Sequence, residues 1–376
     1  MKIVFLSNYI NHHQVGLSNE LYKMCGPSNY YFIQEESLPE EKINLGYINE
    51  FENNQYVIKL NKENQNQVLK IINDADIIIN CFSQGLNLLK DAMKSKKNII
   101  WYSERLYKDY NLIKSFLKYL RAKYYFDFYK NHNQYQIFAS YYGFKDVSKT
   151  THLFKNKCFQ FGYFPISNSK MVIERKKCKE KVNILFLGRL LKWKHPELCF
   201  KIADLLREKK IDFFINIVGD GPLYKKMNKI INAKYNDCIK LVGSIDALET
   251  SNMYLENDIF VFSSDRREGW GATLMEAMSY GCICIANYEA GSTKVLIKNG
   301  VNGYIYNKKN FKEILFEAVE KIIDNRHVEM SKNASELIVD EWNYVNAAAR
   351  LYQVCDRICN NLNLDYYKDG IMKKYK

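Results

Sequence analysis

The sequence predicts an α/β fold made of two parallel-sheet domains in tandem, and three observations predict it. Short apolar runs alternate with helical stretches throughout, the pattern of parallel strands joined by crossover helices. That alternation begins afresh at Val182, after a polar, lysine-rich stretch from Pro165 to Lys181 without apolar periodicity, which reads as a linker. The chain has 376 residues, enough for two separate cores.

The first domain, residues 1–165, is expected to place strands at Lys2–Ser7, Tyr30–Gln34, Gln55–Leu60, Asp76–Cys81, Asn98–Ser103, Gln136–Ser140 and Cys158–Tyr163. Helical stretches fill Val15–Cys25, Asn64–Asn73, Leu86–Lys94 and Leu112–Lys130. The second, residues 180–341, has strands at Val182–Gly188, Phe213–Gly219, Ile239–Val242, Asp258–Ser263, Cys282–Asn287 and Gly303–Tyr306. In the last segment, residues 342–376, Ala348, Leu351, Tyr352, Cys355, Ile358, Cys359 and Leu362 recur at helical spacing, giving a closing amphipathic helix.

Composition bounds the function. Hydrophobic residues make up 47% and charged residues 26% of the chain, ordinary for a globular protein. No apolar run reaches the length of a membrane span, and the start lacks the cleavage pattern of a signal peptide. Ten cysteines are scattered without a CxxC pair, which argues against a zinc site or a disulfide scaffold and for a cytoplasmic protein. The net charge of +13 fits nucleic acid, an anionic membrane or phosphorylated substrates. No nucleic-acid motif accompanies it, so that partner ranks last.

The stretch that organises the rest runs from Ser263 to Met278. The apolar strand before it and the good helix former after it, Ala272 to Tyr280 closed by Gly281, put a polar, glycine-rich loop at a strand's carboxyl end. In open α/β sheets ligands bind there. Gly269 and Gly271 let backbone N–H groups approach an anion at a helix start. Glu268 in the loop and Glu276 one turn into the helix can accept hydrogen bonds from hydroxyls. Phosphate together with many hydroxyls describes a nucleotide sugar.

The string Glu268-x7-Glu276 with Gly269, Gly271, Ala277-Met278 and Gly281, followed by Cys282-Ile-Cys-Ile-Ala286, Glu289-Ala-Gly291 and Asn299-Gly300-Val-Asn302-Gly303, resembles the signature of the retaining GT-B glycosyltransferases of the GT4-like family (group 1 glycosyltransferases). The resemblance implies two Rossmann-like domains facing across a cleft, acceptor domain first, with the C-terminal helix crossing back to it. It also implies sugar transfer from a nucleoside diphosphate donor, UDP- or GDP-linked, with no other cofactor and no metal.

Gly188-Arg189-Leu-Leu-Lys192-Trp-Lys194-His195 is similar to the family's G-R-L-x-x-x-K-G loop, which places Arg189 and Lys194 on the donor diphosphate. They would stabilise the charge that grows on the leaving group. His195 stands where the family has glycine. By the same resemblance Glu268 holds donor-sugar hydroxyls and Glu276 the ribose, with Gly219, Gly243, Trp270, Ala272 and Thr273 lining the donor pocket. In the first domain, Asn11-His12-His13-Gln14 resembles a loop of some polysaccharide glycosyltransferases, making His13 a catalytic candidate and Gly16 a donor contact. Glu104 and Arg105, after another strand, are acceptor-side candidates.

Arg105 to Lys130 interleaves Lys108, Lys114, Lys118, Arg121 and Lys123 with aromatic and aliphatic residues, a composition suited to the anionic inner face of a plasma membrane. The acceptor is then a glycan or lipid-linked glycan of surface polysaccharide or lipopolysaccharide. Three rival readings fit the sequence less well. A sugar-nucleotide epimerase of the same fold needs further acids in the cleft, where only Glu104 is visible. A nicotinamide dehydrogenase needs G-x-G-x-x-G after the first strand, which Ser7 to Gly16 lacks. A non-catalytic nucleic-acid-binding protein sits badly with the set Glu268, Glu276, Arg189 and Lys194.

Overall fold

A computed structural model describes residues 1–43, 54–81, 88–89, 92, 95, 97–108, 111–128, 133–165, 181–246 and 249–375. The expected helix at Leu86–Lys94 falls mostly outside these residues, as does most of the expected linker. The chain divides into two compact units, Met1–Ile166 with Trp342–Lys376, and Ser167–Glu341.

The first unit is built on a seven-stranded sheet in the order β3-β2-β1-β4-β5-β6-β7. The strands are β1 (Ile3–Ser7), β2 (Tyr30–Gln34), β3 (Val57–Lys59), β4 (Ile77–Asn80), β5 (Asn98–Ser103), β6 (Gln134–Phe138) and β7 (Cys158–Gln160), all paired in parallel. β1 and β4 are buried along their whole length, which is why they read as continuous apolar runs rather than alternating ones. Helices α1 (Val15–Cys25), α2 (Gln65–Asp74), α3 (Leu112–Phe128) and α4 (Gly143–Ser148) belong to this unit. Val4, Leu6, Ile33, Ile78, Ile99 and Trp101 meet Val68 and Ile72 of α2 in one core.

The second unit repeats the plan with six parallel strands in the order β10-β9-β8-β11-β12-β13. They are β8 (Val182–Leu187), β9 (Phe213–Val218), β10 (Ile239–Gly243), β11 (Ile259–Phe262), β12 (Ile283–Asn287) and β13 (Tyr304–Tyr306). Helices α5 (Leu198–Glu208), α6 (Tyr224–Lys234), α7 (Thr250–Glu256), α8 (Ala272–Ser279), α9 (Phe311–Ile323) and α10 (Val328–Glu336) cover it. α5 presents Cys199, Ile202, Ala203 and Leu206 to the core, and α9 presents Ile314, Leu315, Ala318, Val319 and Ile322. This i, i+3, i+4, i+7 spacing stacks one face of each helix on the sheet.

A π-helical stretch, Leu337–Glu341, leads out of the second unit. The chain then enters α11 (Tyr344–Cys359), whose Asn343 side chain caps the helix by accepting from the Asn346 N–H. α11 packs on α1, and beyond it Phe159 of β7 makes an antiparallel bridge with Lys374. The C-terminal segment thus belongs to the first unit, where it covers a sheet edge that would otherwise present unpaired backbone groups.

Candidate functional site

The sheet of the second unit reverses its winding between β8 and β11, because β9 and β10 extend it one way and β12 and β13 the other. At such a switch point the loops leaving the two strands diverge and open a crevice. Here those loops are residues 188–197 and 263–271, the two segments that carry Arg189, Lys194, Glu268, Gly269 and Gly271.

The loops are laced together. The Asp265 N–H donates to the Trp193 carbonyl at 2.9 Å, and the Ser263 hydroxyl donates to the Lys194 carbonyl at 2.6 Å. The Lys194 ammonium donates to Glu268 Oε2 at 2.7 Å, and the Ser264 hydroxyl donates to the same oxygen at 2.9 Å. Both side chains of the Lys194–Glu268 pair are mostly withdrawn from water, 16% and 13% exposed. The ammonium also lies 4.9 Å from the centre of the Trp193 ring, a cation–π contact that further fixes it. Gly188 closes β8 beside Lys194, and Arg189 is exposed on the same loop.

His195 sits in the left-handed region, φ 51°, so the loop takes the backbone shape a glycine would take despite the side chain. The imidazole compensates by bridging: Nδ1 lies 2.9 Å from Glu197 Oε1 and Nε2 lies 3.4 Å from Asp265 Oδ2. The Asp265 bond above all, then Glu197, raises the imidazole pKa to about 9 against a lowering by burial. Burial pushes the Asp265 carboxyl up, but His195 and Arg267 outweigh it and hold it at about 2. An imidazole with a raised folded-state pKa stabilises fully below its unfolded value near 6.5, and that contribution is lost as pH rises through about 9. Wild type should therefore lose melting temperature across this window relative to His195→Gln. The expected difference is about 1 kcal/mol or less, since the ring is partly solvated. Parallel melting curves for the two proteins below pH 6.5 and above pH 9 check it.

α8 begins at Ala272 and Thr273 behind Gly271, whose φ of 91° starts the helix without a side-chain cap and with no acidic residue in the first turn. Gly271 has no room for a side chain. A Cβ there would meet the Phe262 ring at 2.2 Å. Glu276 lies on α8 with Oε2 accepting from the Tyr254 hydroxyl at 2.9 Å. Burial raises the Glu276 pKa, opposed in part by that hydroxyl.

Gly219 and Gly243 end β9 and β10 and are joined by a 2.7 Å bond from the Gly219 N–H to the Gly243 carbonyl. Gly269 is buried. Trp270 requires a correction. Its ring is fully buried, with Nε1 donating to Met275 Sδ at 3.3 Å, while the Ser292 hydroxyl donates to its carbonyl at 2.6 Å. The indole anchors the loop to the core instead of facing a ligand, because a large apolar ring gains most by complete burial.

In the first unit the corresponding switch point lies between β1 and β4. The His13 ring stacks on Tyr163 at 5.7 Å and 13°, and the Tyr163 hydroxyl donates to Glu104 Oε1 at 2.9 Å. Tyr163 thus brings His13 and Glu104 together, and Lys108 pairs with the second Glu104 oxygen. Arg105 is a second correction. Its guanidinium is buried against Asp146, with Nε to Oδ2 at 3.2 Å and Nη2 to Oδ1 at 3.3 Å, beneath the Tyr142 ring. That bidentate pair ties the loop after β5 to α4 and holds the guanidinium away from solvent, 7% exposed. Gly16 lies inside the first turn of α1 and is buried.

Sequence reasoning missed several contributors. Ser264 and Asp265 sit four and three residues before Glu268, a proximity that could have marked them. Tyr254 carried no signal, since only the fold brings α7 beside α8. Asn80 at the end of β4 is fully buried, and among the described residues neither its Oδ1 nor its Nδ2 has a hydrogen-bond partner. Beside it Gln14 Nε2 donates to the Ser7 hydroxyl at 3.2 Å and to the Cys81 sulfur. Among the described residues no group of three or more His, Cys, Asp or Glu side chains is placed to hold a metal ion, and no helix is long and apolar enough to cross a membrane.

Comparison with known proteins bears on this geometry. Over 189 residues the chain is 27% identical to an uncharacterized glycosyltransferase of Methanocaldococcus jannaschii, covering 50% of this chain and 48% of that one. It is 32% identical over 157 residues to a GDP-mannose-dependent alpha-mannosyltransferase of Corynebacterium glutamicum, covering 42% and 35%. The chain thus spans about half the length of the curated relatives it matches first. Anabaena HepE, solved in complex with UDP, superposes with a TM-score of 0.70 over 95% of this chain and 100% of that one at 15% identity. That likeness establishes the fold: two Rossmann-like parallel-sheet domains of the GT-B glycosyltransferases. Residues 169–337 match the family described as glycosyl transferases group 1. The match covers the switch-point loops, Lys194, Glu268 and Glu276 alike, and over these residues the chain is similar to the group 1 glycosyltransferases.

Proposed function

We propose that the chain is a retaining, metal-independent glycosyltransferase of the GT4-like kind, which moves a sugar from a nucleoside diphosphate sugar to a hydroxyl of a glycan or lipid-linked glycan. The observation that carries this reading is the Lys194–Glu268 pair at the switch point, 2.7 Å apart beside the start of α8. It sets one cation and one carboxylate where a diphosphate and a sugar would lie side by side.

Both bonds to Glu268 fall on Oε2, so Oε1 is the oxygen that would accept from a donor-sugar hydroxyl. Lys194 and Arg189, with the N–H groups at the start of α8, would neutralise the diphosphate as its bond to the sugar breaks. Glu276, held by Tyr254, would accept from the ribose hydroxyls. In front-face transfer the leaving phosphate itself takes the acceptor proton, so no protein nucleophile is required. In the first unit His13, Glu104 and the buried amide of Asn80 offer hydrogen bonds suited to acceptor hydroxyls.

The named relatives support a nucleotide donor of either kind, one being GDP-mannose-dependent and one solved with UDP. The working place is the cytoplasmic side, in assembly of surface polysaccharide or lipopolysaccharide. The test is a thermal-shift panel of UDP, GDP, ADP, CMP and their sugars. A nucleotide at a hundred times its Kd should add about 2.7 kcal/mol, and a rise with one diphosphate alone identifies the base. No rise with any of them, beside a clear rise with nucleic acid, would sink the enzyme reading.

Glu276 adds a pH dependence. Hydroxyls donate to its carboxylate, and its raised pKa means the carboxylate is lost earlier on acidification than in a free glutamate. Nucleotide affinity should therefore weaken as pH falls toward the carboxylate range. Tyr254→Phe removes the hydroxyl that opposes the shift and should move this weakening to higher pH. Nucleotide titrations at several pH values on both proteins check the order.

A further inference from the structure

We infer that α3 is a docking surface for an anionic lipid bilayer. Along α3 Ile113, Phe116, Leu117, Leu120 and Tyr124 are all exposed, from 46% to 72%. Their spacing is i, i+3, i+4, i+7 and i+11. At 3.6 residues per turn the five side chains fall within an arc of about 100°. This is a continuous apolar stripe on the outside of the protein, not scattered surface residues. Ser115 and Tyr119, from the opposite face, are half-buried, so the polarity of the helix is reversed relative to one that packs its apolar face inward. A stripe of this kind marks an interaction site.

Charge selects the partner. Lys114, Lys118, Arg121 and Lys123 are exposed on the same helix, and residues 112–126 contain no Asp or Glu. On the helical wheel Lys114 and Arg121 flank one side of the stripe and Lys123 the other, while Lys118 lies toward the far face. A protein groove complementary to the apolar stripe would make no use of the cations on the same helix. A bilayer with anionic headgroups meets both: the apolar side chains enter the headgroup boundary while the long cationic stems reach the phosphate level. The net charge of +13 adds long-range attraction of the same sign. The inference goes beyond the donor chemistry.

The test is vesicle flotation of the full chain with phosphatidylcholine alone or mixed with phosphatidylglycerol, at two salt concentrations. Wild type should float with the anionic vesicles, weakly with the neutral ones, and less at high salt. Arg121→Glu combined with Lys123→Glu should weaken anionic binding on the order of thirtyfold, since each cation contributes about 1 kcal/mol and 1.4 kcal/mol is tenfold. Phe116→Ser combined with Leu120→Ser should weaken it comparably. Both variants change exposed positions, and unchanged melting temperatures confirm that they fold. Equal flotation with neutral vesicles, an unaffected charge variant, or no flotation with the stripe instead closing a dimer by sedimentation would each overturn the inference. The nucleotide thermal shift is read on the same proteins and stands or falls separately.

Discussion

Lys194→Ala is expected to lower kcat by about two to three orders of magnitude, while the nucleoside diphosphate still raises the melting temperature. The argument rests on where the ammonium is held. It is 16% exposed, joined to Glu268 at 2.7 Å and set against Trp193, and its own carbonyl is tied down by Ser263. A cation fixed this way needs little reorganisation as charge develops on a departing phosphate, so its contribution grows from ground state to transition state. Removing it should therefore act on kcat more than on nucleotide binding. Glu268→Gln should also cut turnover, by weakening the hold on the sugar hydroxyls. Because the two side chains touch, the double variant should cost less than the sum of the single losses. The measurement is release of nucleoside diphosphate from the donor that the thermal-shift panel selects. Turnover of Lys194→Ala within about tenfold of wild type would remove Lys194 from the chemistry.

How much of this was legible beforehand depends on what kind of interaction fixes each feature. The strands of the second sheet were readable because a strand buried on both faces is apolar at every position, as Ile259–Phe262 and residues 283–286 are. The switch-point loops were readable because glycines and charged residues interrupt those runs at fixed places. Trp270 was misjudged because a loop tryptophan gives no sign of which way its ring turns. The core below α8 takes it in against Met275. Arg105 was misjudged for a related reason: its partner Asp146 is far along the chain, on α4, and only the sheet brings them together. Tyr254 was invisible for the same cause, its partner Glu276 lying on another helix, and Asn80 because only the fold buries its amide. The α3 stripe was legible as composition, but only the structure separates the outward side chains of Phe116 and Leu120 from the half-buried Tyr119.

Gly219→Ala should be the most damaging single-methyl change in the second unit, lowering its melting temperature by roughly 6–12 °C. Gly219 ends β9 with a φ of 132°, and a Cβ built there would stand 2.1 Å from the Gly188 carbonyl oxygen. That contact is with backbone, so no rotamer change relieves it. The strand ends of β8 and β9 must separate. They cannot do so freely, because the Gly188 N–H donates to the Val218 carbonyl at 3.0 Å and the Leu190 N–H to the Asp220 carbonyl at 2.8 Å. Overpacking of this kind costs about 1–3 kcal/mol and the unfavourable φ about 1–3 more. Gly300→Ala separates the two effects: its φ is 78° but nothing lies within 4 Å of the new methyl, so it carries the backbone strain alone. If the two variants melt within about 2 °C of each other, crowding at the β8–β9 ends is not what requires glycine. If Gly219→Ala is much the worse, the displaced Gly188 carbonyl should also disturb the loop that presents Lys194. Turnover should then fall at temperatures where the variant is still folded.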